Sequence, residues 1–239
     1  MNITCICEHN GNDSLLYAVE LPGAYSRGES PEIALRKMKA EIRSYGKWAG
    51  ITQEETTKIT ILHDVPSALN IADADSDVLF PSEQLPLTPE EYAAQKTLAL
   101  KSAADFLLLY EAIPDKHRFH RPIRKTFYGQ VPRTAEEMYL HTRNVNAYYF
   151  GEIGVDADNT GTILDCRKAG FAALEQTPDF LKNPVLEGSY GEHWSLRKLL
   201  RRFIWHDRIH AKAMYRMAVR IFGQESIPDP FFFEACAYD

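Results

Sequence analysis

No long apolar run interrupts this chain. Its most hydrophobic stretch, Phe106 to Tyr110, falls far short of the roughly 20 residues that a membrane-spanning helix needs. The first twenty residues also lack a basic start followed by an apolar segment, so neither a secretory leader nor a membrane anchor is expected. Cysteine is scarce: there are four (Cys5, Cys7, Cys166, Cys236), far apart except for the first pair, which alternates onto one side of an expected strand. That spacing makes no disulfide framework and fits a reducing cytoplasm. An excess of positive charge is missing too. The net charge is -6, and residues 1–87 hold 7 basic and 13 acidic side chains against 20 and 20 in residues 88–239. Phosphate contacts require Lys and Arg, so nucleic acid is not an expected partner.

What is present divides into two parts. Residues 2–7 and 14–21 read as strands around the turn residues H-N-G-N-D, which makes a hairpin. Ser30 with Pro31 starts a helix, in which Leu35, Met38, Ile42 and Tyr45 recur at helical spacing until Gly46 ends it. K-I-T-I-L-H-D-V at 58–65 supplies a further strand, completing a small β-β-α-β module over residues 1–65, one face of whose sheet a single helix can cover. Residues 66–87 are rich in Pro, Ser and Asp and read as a linker. Two stretches look in part like calcium loops, and both fail. Asp73, Asp75 and Asp77 are followed by Val78 and Gln84 where glycine and glutamate are required, and Asp156, Asp158 and Gly161 are followed by Arg167 at the bidentate position.

Residues 88–239 read as helical. T-P-E-E at 88–91 and T-A-E-E at 134–137 are capping boxes. A third helix is expected from about Thr162 to Gln176 and a fourth from Ser195 to Phe222, closed by Gly223, which gives a four-helix bundle with a C-terminal tail. On the fourth helix Leu196, Leu199, Phe203, His206, His210, Ala213, Met217 and Ile221 form one stripe, so two histidines point into the bundle. Met138, His141, Val145 and Tyr148 repeat the pattern on the second. Arg197, Arg201, Arg208, Lys212 and Arg216 are expected on the solvent side of the fourth helix.

A lone histidine on an apolar face is usually a core residue satisfied by backbone or hydroxyl oxygens. Three of them change the balance. Histidines at i and i+4 share a helix face, and a facing helix can deliver a third nitrogen to the same ion. His141, His206 and His210 are therefore the expected ligands of a divalent transition metal, zinc or nickel foremost, with an open position for a water or a small thiol. H-D-R-I-H differs from the H-E-x-x-H of zinc peptidases by one methylene, and Asp207 lies about 100° round the helix from His206. Its expected place is beside a neighbouring helix or behind a ligand, not as a base. Asn144, Tyr148, Arg202 and Asp207 are candidate pocket residues because they fall within about a turn or two of the ligands. His117 and His120 belong to a basic connection, residues 116–125, and His193 precedes the fourth helix; these are expected to be solvated, packing or capping residues.

With E-M-Y-L-H-T-R-N-V-N-A-Y-Y-F on the second helix and R-R-F-I-W-H-D-R-I-H-A-K-A on the last, residues 88–222 resemble the DinB-like family, also described as YfiT-like metal-dependent enzymes. The resemblance implies a metal-binding four-helix bundle whose relatives include thiol-dependent S-transferases and isomerases. Residues 1–65 are similar to HicB-like domains through V-E-L-P-G-A-Y-S-R-G-E-S-P-E-I-A-L-R-K-M-K-A-E-I. In such antitoxins the domain opposes a small ribonuclease, though no repressor-type DNA-binding tail follows here. The fold class expected is α+β. The function expected is a cytoplasmic metal-dependent hydrolase or thiol transferase acting on a small molecule with a low-molecular-weight thiol. The alternative is a non-enzymatic protein whose metal staples the bundle while the first module engages a protein partner or self-associates as a homodimer.

Overall fold

The computed structural model describes residues 2–51, 58–71, 76–126 and 129–233. It is mixed α+β and divides into two compact units, Met1–Phe80 with Phe231–Asp239, and Pro81–Pro230. Asp73, Asp75 and Cys236 lie outside the described residues.

In the first unit β1 (Asn2–Asn10) and β2 (Asp13–Ala18) form the expected hairpin, with Cys5 opposite Ala18 and Asn10 opposite Asp13. Gly11 opens its two-residue turn at φ 61°, the left-handed conformation that matches turn twist to strand twist. β2 ends earlier than its apolar run. Leu21-Pro22-Gly23-Ala24 makes a second turn, in which Ala24 N donates to the Leu21 carbonyl at 2.9 Å and Gly23 takes φ 88° after a proline. That turn returns the chain as β3 (Tyr25–Gly28), antiparallel to β2. β3 is absent from the sequence reading because four residues, Y-S-R-G, are too few to show alternation.

Ser30 Oγ accepts from Ile33 N and Pro31 opens α1 (Pro31–Ala49), which packs on β2 and β3. The helix passes through Gly46 and stops at Gly50, φ 68°, where Ile51 N donates to the Gly46 carbonyl at 2.8 Å. A helical glycine costs about 1 kcal/mol. Burying Trp48 against Tyr45 and Phe231 outweighs that cost. Leu35 is only half buried, and Ala34 takes its place beside Met38, Ile42 and Tyr45 on the inner face. β4 (Lys58–Pro66) runs parallel to β1 and completes a four-stranded sheet in the order β3-β2-β1-β4. The unit is thus β-β-β-α-β, one strand more than expected.

The second unit begins inside the expected linker. Residues Pro81–Gln84 form a single 3-10 turn that buries Glu83 against Arg201, with Arg201 Nη2 donating to Glu83 Oε2 at 3.1 Å. Asn183 Nδ2 and Ser195 Oγ donate to the Glu83 carbonyl at 2.7 and 2.8 Å. Then come α2 (Pro89–Ala112), a short hairpin of β5 (Lys125–Thr126) and β6 (Gly129–Gln130), α3 (Ala135–Glu152) and α4 (Ile163–Leu174). A second small hairpin of β7 (Leu186–Glu187) and β8 (His193–Trp194) leads to α5 (Leu196–Phe222). Thr88 with Glu91, Thr134 with Glu137 and Thr162 with Asp165 each make both halves of a capping box. α2 packs on α5 and α4, and α3 on α4 and α5. No helix of the described residues is long and apolar enough to cross a membrane.

α5 departs from a simple amphipathic helix. Arg201, Arg208 and Lys212 are buried, whereas Ala213, expected on the inner stripe, is exposed. For Arg201 the reason is Glu83, a partner 118 residues away in sequence.

α3 and α4 meet where Gly170 faces Phe150. A Cβ on Gly170 would lie 2.0 Å from the Phe150 ring, which is fully buried against Phe171 and Phe203. Gly170→Ala is therefore expected to destabilise the protein by about 1–3 kcal/mol, although alanine is the better helix former by about 1 kcal/mol. Urea unfolding measures the sign, and a stabilised variant would refute this close contact.

Candidate metal centre

His206 and His210 stand one turn apart on α5, and His141 reaches them from α3. Tyr149 and Phe150 of α3 pack on Phe203 with ring centroids 5.3 and 5.2 Å apart, whereas His141, earlier on α3, meets the later His206 and His210. Contacts thus move back along α5 as α3 advances, the mark of an antiparallel pair, and the phenylalanine layer sets the register that makes the histidines level.

The three ring centroids lie 5.1, 4.6 and 4.5 Å apart, and His141 Nε2 is 3.2 Å from His206 Nε2. One nitrogen from each ring lies within 4.8 Å of the others. Two nitrogens on a tetrahedral ion, each about 2.0–2.1 Å from it, are about 3.3 Å apart, so the closest pair already has ligand spacing. Burial holds all three imidazoles below their ordinary pKa, His210 down to about 3 with His141 adding to the effect. At neutral pH they are uncharged, the form whose lone pairs bind metal. Among the described residues the cluster contains no carboxylate. His206 Nδ1 is buried with no hydrogen-bond partner among the described residues, so packing by Tyr149 and Trp205 orients that ring. By spacing, charge state and donor type, the residues fit a divalent transition ion.

Asp207 stands elsewhere. It is fully buried, and Arg167 of α4 grips it from the side, Nη1 donating to Oδ2 at 3.2 Å and Nη2 to Oδ1 at 3.1 Å. Ser102 of α2 donates to the same carboxylate. Burial raises the Asp207 carboxyl against the pull of that guanidinium. Arg167 also donates from Nε to Asn146 Oδ1 of α3 at 2.7 Å and lies 3.7 Å over the Phe203 ring. Asp207 thus ties four helices together, and its oxygens are engaged on Arg167 and Ser102, away from the role of a peptidase base. Arg167 figures in the sequence only as the residue that breaks a calcium-loop pattern, and Ser102 and Asn146 carry no sequence signal of their own. Each is an ordinary polar residue whose partner lies 21 to 105 positions away.

Of the other pocket candidates, Arg202 adjoins the centre. Its guanidinium lies 4.7 Å from the Trp205 ring and 5.4 Å from the Tyr149 ring, the two rings that pack His206. Tyr148 is partly exposed and lines an open groove with Ala147, Gly151, Glu152 and residues 187–189. Asn144 is exposed, and its carboxamide oxygen accepts from Arg143 at 3.2 Å. His117 lies exposed in the basic connection, His120 is half-buried there, and His193 is exposed while its carbonyl accepts from Lys198 Nζ at 2.7 Å.

Against protein-family models, curated proteins and solved structures alike, the chain finds no match.

Proposed function

We propose that this protein is a metal-dependent enzyme of the DinB-like kind, in which His141, His206 and His210 hold one divalent ion, zinc or nickel, beside a binding place for a small molecule. The observation that carries the reading is the convergence of three uncharged imidazoles from two helices, with no carboxylate among the described residues joining the cluster. Structural zinc sites generally close with four protein ligands, so a three-nitrogen set favours a working centre over a staple. Such an ion, once bound, supplies Lewis acidity to a water or thiol entering its open position, giving hydrolase or thiol-transferase chemistry. The chain's own contribution is to keep three donors uncharged, to fix their register through Phe150, Phe203 and Tyr149, and to shield them among aromatic rings.

The first unit we assign to the HicB-like kind on its Leu21-Pro22-Gly23 turn followed by α1, and the protein to the cytoplasm on its buried, unpaired Cys5, Cys7 and Cys166. The test of the enzymatic reading uses untagged protein. Elemental analysis is expected to find about one equivalent of transition metal per chain. A panel of electrophiles with several low-molecular-weight thiols is expected to reveal turnover that chelation removes and zinc or nickel restores. Metal at background level, or turnover indifferent to chelator, would overturn it.

A further inference from the structure

We propose that the basic connection between α2 and β5 is a docking surface for an anionic lipid bilayer, where Arg118, Arg121 and Lys125 meet the headgroups while Phe119 and Ile123 enter the boundary beneath them. The inference is independent of the metal reading. Residues 118–124 belong to neither helix nor strand, and each of them except His120 is exposed, as is Lys125. The side chains of Arg118, Arg121 and Lys125 form no ion pair or hydrogen bond among the described residues. Asp115, the carboxylate that precedes them, accepts from the His117 amide at 3.0 Å. Arg220, exposed in the last turn of α5, adds a further cation. Burial lowers the His120 imidazole from its ordinary pKa, and the charges of Arg121 and Arg220 lower it further, so both guanidiniums stand near one ring. Two elements of the helical unit thus contribute to one positive patch.

Cations alone suit any polyanion, and the apolar side chains between them decide which. Phe119 and Ile123 are 49% and 55% exposed, interleaved with the charges in R-F-H-R-P-I-R-K. A nucleic-acid strand pairs its phosphates with cations and stacks its bases on open aromatic faces. Here the Arg133 guanidinium lies 4.0 Å over the Phe119 ring and covers one face of it, and aliphatic Ile123 would stay in water. An anionic bilayer serves both kinds of residue. Each Lys or Arg near its surface gains about fivefold in partition, and an apolar side chain gains by leaving water at the acyl boundary. The long stems of arginine and lysine let the charges stay among the headgroups while the apolar pair sinks below them.

The full chain is sedimented with vesicles of phosphatidylcholine alone and of phosphatidylcholine mixed with phosphatidylserine. Binding is expected to the mixed vesicles only, and high salt is expected to release it. Replacing Arg118, Arg121 and Lys125 together by glutamine is expected to weaken partition roughly a hundredfold, at about fivefold for each charge. Ile123→Ser is expected to weaken it roughly fivefold, because that side chain then gains nothing at the boundary. Equal sedimentation with both vesicles, or with neither, overturns the proposal. So does vesicle binding that the triple variant retains or that Ile123→Ser leaves unchanged. Capture of a single-stranded oligonucleotide by a parent that ignores vesicles overturns it in favour of a polyanion. The parent comparison needs no variant to fold, and since all four replaced side chains are exposed, melting temperatures equal to the parent's are expected.

Discussion

Adding zinc to the metal-stripped protein is expected to raise the melting temperature of its helical unit by roughly 10 °C, and His206→Ala is expected to cancel that response. A ligand at 1,000 times its dissociation constant stabilises by about 4 kcal/mol, and each kcal/mol moves a unit of this size by about 2–4 °C. His206 is the ligand to remove because it is the most enclosed of the three and its Nε2 already lies 3.2 Å from that of His141. Loss of an outer partner of a ligand commonly costs about 10–100-fold in metal affinity, so losing a ligand costs more. Calorimetry of parent and variant, each with and without zinc, checks this. An equal rise in both would mean that zinc binds elsewhere.

The second large effect concerns Arg167 and Asp207. Neither side chain has any exposure to water, so each charge depends on the other. Removing one partner leaves an uncompensated buried ion, at about 3–5 kcal/mol. Arg167→Met and Asp207→Leu are each expected to destabilise by that amount, with Arg167→Met also stranding Asn146 Oδ1. Replacing both at once removes both charges, and the double variant is expected to be more stable than either single one. Urea denaturation of all four proteins gives the coupling directly. Additive losses would show that the two side chains do not act as a pair.

Much of this was legible along the chain. Ser30 and the threonines at 88, 134 and 162 announce helix starts because a cap is a local device, built within four residues. The hairpin at Gly11 is legible for the same reason. Structure and local signal part where a distant contact intervenes. Gly46 reads as a stop, yet the helix continues because Trp48 finds Phe231. Residues 81–87 read as linker, yet Glu83 is drawn in by Arg201. The cationic positions of α5 read as solvent-facing, yet Arg201 and Arg208 are buried.

Helix starts, the first hairpin and the stripe that turns His206 and His210 inward together can be read along the chain, since caps and turns are local and the stripe follows from spacing of about 3.6 residues within one segment. That His141 is level with them, that Asp207 serves Arg167, and that Arg202 sits among three aromatic rings are matters of packing between helices. Those outcomes depend on how one helix is registered against another. Periodicity fixes which side of a helix faces inward but not its height against a neighbour, which side-chain packing across the core sets.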